Sequence, residues 1–195
     1  MSKLVDWQVK EEIKKGNLVI EPFNPEQLGP NTYDIRLGNI FLEPVVDYTV
    51  QPNGKVHELA IDPTEPGTEI KYKEFQGPYL LKPGGFVLAV IKEKIGTHKD
   101  LSALIFGRSN ISRLGLCISE GPFIDTGFEG YITLEIYNQS PYKIWLKEGW
   151  RIGHIAFYKG EQPEVSYDKR PSSKYAGVQV EVRPYGWKQD KEYRK

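Results

Sequence analysis

The chain has 195 residues, with 26 Lys+Arg against 26 Asp+Glu and a single cysteine, Cys117. This length suits one domain with a sizeable core. A net charge of zero excludes a global field drawing the chain to nucleic acid or a membrane surface, and one cysteine excludes an intrachain disulfide. No apolar run approaches the roughly 20 residues that span a bilayer. The opening MSKLVDWQVKEEIKKG lacks the apolar stretch of a signal peptide. The expectation is a soluble protein of a reducing, cytoplasmic compartment.

Residues 6–15 read as a helix, with Asp6 as its N-cap, Val9 and Ile13 on one face, and Gly16 ending it. The pattern then shortens into β-rich runs broken by Gly, Pro, Asn and Asp: NLVIEPF, YDIRLGNIFLEPV, GFVLAVIKEKI, LSALIFG, YITLEIYN, YKIWLKEG and RIGHIAFYKG. KPGGF at 82–86 is a turn entering a strand. YITLEIYN alternates Ile132, Leu134 and Ile136 against Thr133, Glu135 and Tyr137, the period of a strand with unlike faces. Short strands at turn-punctuated spacing predict an all-β sandwich or barrel. The expected organisation is a single domain over 1–195, with an N-terminal helix within 1–16 and a polar tail over 160–195 that reads as a mobile arm.

Several chemistries are excluded. A zinc deaminase site needs a cysteine pair with His and Glu, and one Cys cannot supply it. His57, His98 and His154 are isolated in the sequence, and neither a P-loop nor a G-x-S-x-G elbow occurs.

Two stretches carry candidate chemistry. GRSNISRLGL, 107–116, places Arg108, Ser109, Asn110 and Arg113 at a strand end leading into a short helix. Hydroxyl and amide donors flanked by two forked guanidiniums suit phosphate oxygens; the alternative is a capped turn with two exposed arginines. FIDTGFEGYITLEIYN, 123–138, places Asp125 in a turn and Glu135 mid-strand among apolar residues. Such a Glu is either solvent-facing or a catalytic carboxylate in a pocket. NTYDIRLGN reads as a structural segment, with Asp34 and Arg36 as a buried ion pair, and SKYAGVQ, 173–179, as an exposed basic-aromatic loop.

Taken in order, GPNTYDIRLGN, KPGGFVLAV, GRSNISRLGL, IDTGFEGYITLEIYN, WRIGHIAF and SKYAG resemble the motifs of the dCTP deaminase/dUTPase superfamily, in its dCTP deaminase branch. The likeness runs from about residue 1 to 180. It implies a distorted jelly roll of the dUTPase-like type, assembled as a homotrimer with active sites between subunits. By carry-over, Arg108, Ser109, Asn110 and Arg113 grip a triphosphate. Tyr167, Lys174 and Gln179 belong to a tail that closes over it. Gly121, Phe123, Ile124 and Asp125 line the base and sugar pocket. Asn110 stands where a second serine is usual, and Gln179 is one residue later than the family's glutamine.

The same resemblance makes Glu135 the catalytic glutamate that moves protons during metal-independent deamination of dCTP at C4, with Ser109 orienting the water. Asp125 matches the aspartate that orients water at the α-phosphate in dUTPases, where Mg²⁺ is held mainly by the triphosphate rather than by protein ligands. Phe123 stands where the monofunctional kind of deaminase carries arginine, which favours the bifunctional kind that continues from dUTP to dUMP and pyrophosphate. SEGPF at 119–123 is one residue shorter than in either kind, with the charge of Glu120 near the pocket. The rival readings are a dUTP diphosphatase that retains Glu135 without deaminating, and a non-catalytic nucleotide-binding protein on the same fold. Implied partners are dCTP, dUTP and dTTP, the last as an inhibitor, with neither nucleic acid nor membrane.

Overall fold

The computed structural model describes residues 1–46, 70–118, 123–173 and 175, and the backbone of 48–50 and 56–58. In chain order the elements are β1 (Ser2–Lys3), α1 (Asp6–Lys14), β2 (Leu18–Glu21), β3 (Tyr33–Val45), β4 (Tyr48–Val50), β5 (Val56–Glu58), β6 (Lys71–Gln76), β7 (Tyr79–Leu81), β8 (Phe86–Thr97), β9 (Leu101–Gly107), α2 (Ser109–Ser112), β10 (Leu116–Ile118), β11 (Phe123–Ile124), β12 (Glu129–Asn138), β13 (Ile144–Leu146) and β14 (Arg151–Lys159). Single 3-10 turns form at Pro25–Gln27 and Tyr167–Lys169.

Among the described residues, ten strands join in one curled antiparallel sheet whose main path runs β10-β12-β8-β3-β14-β9-β11. The long strand β3 makes the curl. Its first half pairs with β14, Tyr33 opposite Ile155, and its second half pairs with β8 and β6. Gly38 lies where the partners change. A Cβ there would stand 2.9 Å from the Val90 carbonyl oxygen, so only glycine lets the two backbones approach so closely. The sheet thus folds into two layers over one core. Tyr33, Ile35 and Leu37 of β3 are fully buried in it, with Val87, Ala89 and Ile91 of β8, Leu134 and Ile136 of β12, and Ile155 and Phe157 of β14. Each large side chain so buried contributes roughly 1.5–3 kcal/mol. The fold is mostly β, as the turn-punctuated strands imply.

Two local expectations are corrected. Asp6 is not the cap of α1. Val5 holds that position with extended dihedrals, and its N–H donates to the Gln8 side chain at 3.0 Å. Asp6 is instead the first helical residue, and its amide reaches the Pro30 carbonyl. Nor do Asp34 and Arg36 pair with each other. Residues two apart on a strand are about 6.6 Å apart, farther than directly opposed neighbours on adjacent strands. Arg36 Nε therefore donates to Glu93 of β8 at 2.6 Å, while Asp34 turns to Arg151 and Arg108.

Glu93 is fully buried and also accepts the Arg36 amide at 2.9 Å and the Gln27 side chain at 3.1 Å. Removing one member of such a pair leaves an uncompensated charge in the interior. Glu93→Ala should therefore destabilise the fold by about 3–5 kcal/mol, measured as the loss in urea midpoint at unchanged slope.

The polar tail does not leave the body at residue 160. Its 3-10 turn docks on the segment preceding β12, as described below.

Candidate active site

β9 ends at Gly107, opposite Gly153 of β14. Arg108 then leaves the sheet with extended dihedrals, and the chain turns at once into the four residues of α2. Buried Ile111 anchors this turn to the core and leaves Ser109, Asn110 and Arg113 exposed. The Ser109 and Asn110 amides precede the first helical hydrogen bonds, which run from Ile111 and Ser112 to the Arg108 carbonyl at 2.9 Å. The four residues named from the sequence thus share one small cap, half-exposed to exposed. Arg108 Nη2 lies 3.6 Å from Asp34 Oδ2, and Arg151 Nη1 lies 3.3 Å from the same oxygen. The sequence reading gave Asp34 only a structural role and left Arg151 without one. The available signal was that Asp34 faces away from the buried Tyr33 and Ile35.

β11 pairs with β9, Phe123 opposite Leu104 and Ile124 opposite Ala103. Ile124 is buried, Phe123 is exposed, and the chain then turns at Asp125. The Asp125 carbonyl closes this turn by accepting from Thr97 Oγ1 at 2.8 Å and the Phe128 amide at 3.1 Å, while its exposed carboxylate takes no part. Gly127 has φ of +94°, and a Cβ there would meet Asp168 Oδ1 at 2.5 Å and Ser166 Cβ at 2.9 Å. The tail lies over this glycine. The Tyr167 amide donates to the Thr126 carbonyl at 2.8 Å, and the Tyr167 ring stands edge-on to Phe128 at 6.1 Å between centroids. The Tyr167 hydroxyl accepts the Tyr175 amide at 3.0 Å. Tyr167 is thus seated beside the turn that carries Asp125. Lys174, Gln179, Gly121 and the rest of 119–122 lie outside the described residues.

Glu135 lies on β12 between β10 and β8, opposite Leu88. Three residues on, fully buried Asn138 pins the strand end. Its amide group donates to the Leu81 and Tyr142 carbonyls and its oxygen accepts from Ser140. The face assignment from the sequence holds: Ile132, Leu134 and Ile136 are buried, while Glu135 is on the other face and half-buried. Burial pushes its carboxyl pKa up, opposed only by its own backbone amide, and no other described group pairs with it. A carboxyl whose pKa is raised by burial holds its proton more readily than a solvated one, the property a group needs to accept and return a proton.

A stability signature follows. Below the unfolded glutamate value of about 4.3 the group is neutral in both states. As pH rises through the higher folded value, ionisation favours the unfolded chain and stability is lost. Glu135→Gln should therefore raise the melting temperature at neutral pH, and the gain should vanish at acid pH. Melting curves at both pH values measure it.

The structure thus brings Arg108, Ser109, Asn110 and Arg113 into one cap and Asp125 and Tyr167 to one turn. No hydrogen bond or ion pair between described residues joins Glu135 to either group. Among the described residues no three His, Cys, Asp or Glu side chains gather to hold a metal, and no helix is long and apolar enough to cross a membrane.

The fold is a curled, mostly β sheet that carries a guanidinium cap and a strand carboxyl with no partner among the described residues. The chain matches the dCTP deaminase-like family model over residues 3–160 and belongs to that family. It is 39% identical over 178 residues to dCTP deaminase, dUMP-forming, of Methanoregula boonei, covering 88% of this chain and 90% of that one. It is 37% identical over 180 residues to the protein of the same name from Dictyoglomus thermophilum, covering 88% of each. Its fold is similar to the crystal structure of 2′-deoxycytidine 5′-triphosphate deaminase from Agrobacterium tumefaciens, with a TM-score of 0.59 at 20% identity. That match covers 81% of this chain and 48% of the other.

Proposed function

We propose that this chain deaminates dCTP and carries the product on to dUMP, as the names of its relatives describe for them. The observation that carries this reading is the half-buried Glu135 carboxyl, raised in pKa by burial and without a partner among the described residues, on a strand of a dCTP deaminase-like chain. In this reading Glu135 takes a proton from water as the oxygen adds to C4, passes a proton to N3, and assists departure of the amino group as ammonia. Ser109 orients the water. dCTP and water give dUTP and ammonia. A second water, oriented by Asp125, then attacks the α-phosphorus, and dUTP gives dUMP and pyrophosphate.

Arg108, Ser109, Asn110 and Arg113 bind the triphosphate, and Tyr167, Lys174 and Gln179 close over it. Gly121, Phe123 and Ile124 shape the base pocket. Mg²⁺ fits this scheme as a companion of the triphosphate, because phosphate oxygens are the hard ligands it prefers. When bound it neutralises phosphate charge. The homotrimer reading draws on large apolar side chains left exposed, among them Phe106 of β9, Leu114 after α2 and Phe123 of β11. dTTP, which shares the triphosphate and deoxyribose, is the inhibitor this pocket would accept, and the cytoplasm is the compartment where such substrates occur.

The test is product analysis of dCTP and dUTP reactions with Mg²⁺. The expected result is one ammonia and one pyrophosphate per dCTP, ending at dUMP. Accumulating dUTP would restrict the reading to deamination. Pyrophosphate from dUTP without ammonia from dCTP would make the chain a dUTP diphosphatase, and binding without either product a nucleotide-binding protein.

A further inference from the structure

The pairing of Asp34 with two arginines lies beside the cap and has no part in the chemistry above. We propose that Asp34 is a positioning residue that holds the Arg108 guanidinium ready for the triphosphate; this rests on the proposed role of Arg108. Three guanidiniums, Arg36, Arg108 and Arg151, gather here against two carboxylates, Asp34 and Glu93. Glu93 is engaged with Arg36 at 2.6 Å. Asp34 is therefore shared between Arg108 and Arg151, and the group keeps a surplus positive charge suited to an anion.

Asp34 is itself firmly held. Its carbonyl accepts the Gln27 side chain at 2.6 Å, and Gln27 is fixed to buried Glu93 at 3.1 Å. Arg151 Nη1 donates to its carboxylate at 3.3 Å. Arg108, by contrast, stands just before α2 with a long side chain for which no other described partner exists. At 3.6 Å its contact with Asp34 is an ion pair too long for a hydrogen bond. The carboxylate attracts the guanidinium without occupying its N–H donors, so those donors stay available to phosphate oxygens. Ordering a flexible arginine before the ligand arrives lowers the entropy lost on binding.

The rival role is purely structural, with Asp34 tying β3 to β14 through Arg151. A mutant cycle separates the two. Asp34→Asn, Arg108→Gln and the double variant are compared with the wild type for KM and kcat with dCTP, and for dCTP Kd by calorimetry. If Asp34 acts through Arg108, Asp34→Asn raises KM and Kd about tenfold with kcat little changed. It then adds less than about twofold in the Arg108→Gln background. Asp34→Glu, which keeps the charge, recovers most of the affinity. Effects that multiply in the double variant, or an Asp34→Asn protein that binds dCTP as tightly as the wild type or more so, overturn the proposal. If Asp34→Asn does not fold, Asp34→Ser takes its place in the cycle. A wild type that binds dCTP without releasing ammonia overturns the deaminase reading while the Kd cycle still decides the role of Asp34. A wild type that does not bind dCTP overturns both.

Discussion

Glu135→Gln lowers ammonia release from dCTP by about 10²–10⁴-fold, the range for a lost general acid–base. The amide keeps the shape of the side chain but cannot accept a proton from water. The loss falls on kcat rather than on binding, because the donors proposed for the triphosphate belong to a different element, the cap around α2. The carboxyl has no other described partner to disturb, and its removal relieves a burial cost, so the variant is at least as stable as the wild type at neutral pH. Loss of activity with a raised melting temperature is a combination that misfolding cannot produce. An ammonia assay on purified protein, paired with melting curves, measures both. Glu135→Gln turning over dCTP at the wild-type rate would falsify the deaminase reading. The same variant should still hydrolyse dUTP supplied directly.

Asp125→Asn has the complementary effect. Pyrophosphate release from dUTP falls by about 10²-fold or more, the scale of losing a group that places the attacking water. dCTP turnover in this variant ends at dUTP. The turn itself survives, because the Asp125 carbonyl and not its carboxylate accepts the Thr97 and Phe128 donors. Chromatography of the nucleotides distinguishes accumulated dUTP from dUMP. A variant that produces dUMP from dUTP at the wild-type rate removes Asp125 from the second reaction.

The sequence and the tertiary structure divide the explanation along a physical line. Alternation of burial is a property of a strand's own residues, so β12, the first half of β3 and the outward placement of Glu135 could be read directly, while β8, β9 and β14 showed as near-continuous apolar runs bounded by turn residues. Local turn chemistry likewise marked KPGGF as the entry to β8. β6 carries a largely exposed pattern, and β10 and β11 have three and two residues, so each is too short or too polar for a period to register.

Partners across the chain were not legible. Asp34 and Arg36 look like a pair in the sequence. Two-residue spacing on a strand nevertheless sends Arg36 to Glu93, 57 positions away, and Asp34 to Arg151, 117 positions away. The tail reads as a free polar arm, yet its 3-10 turn rests on Gly127, a residue whose missing side chain makes room for it. The sequence by itself determined the strands, because alternation and turn chemistry are local, and its motifs resembled a family's closely enough to name the candidate carboxylates and cations. Only the tertiary structure decided which charges meet, how deeply Glu135 is buried, and where Tyr167 rests. Those depend on curling the sheet through β3, and that curl brings together residues that no local pattern connects.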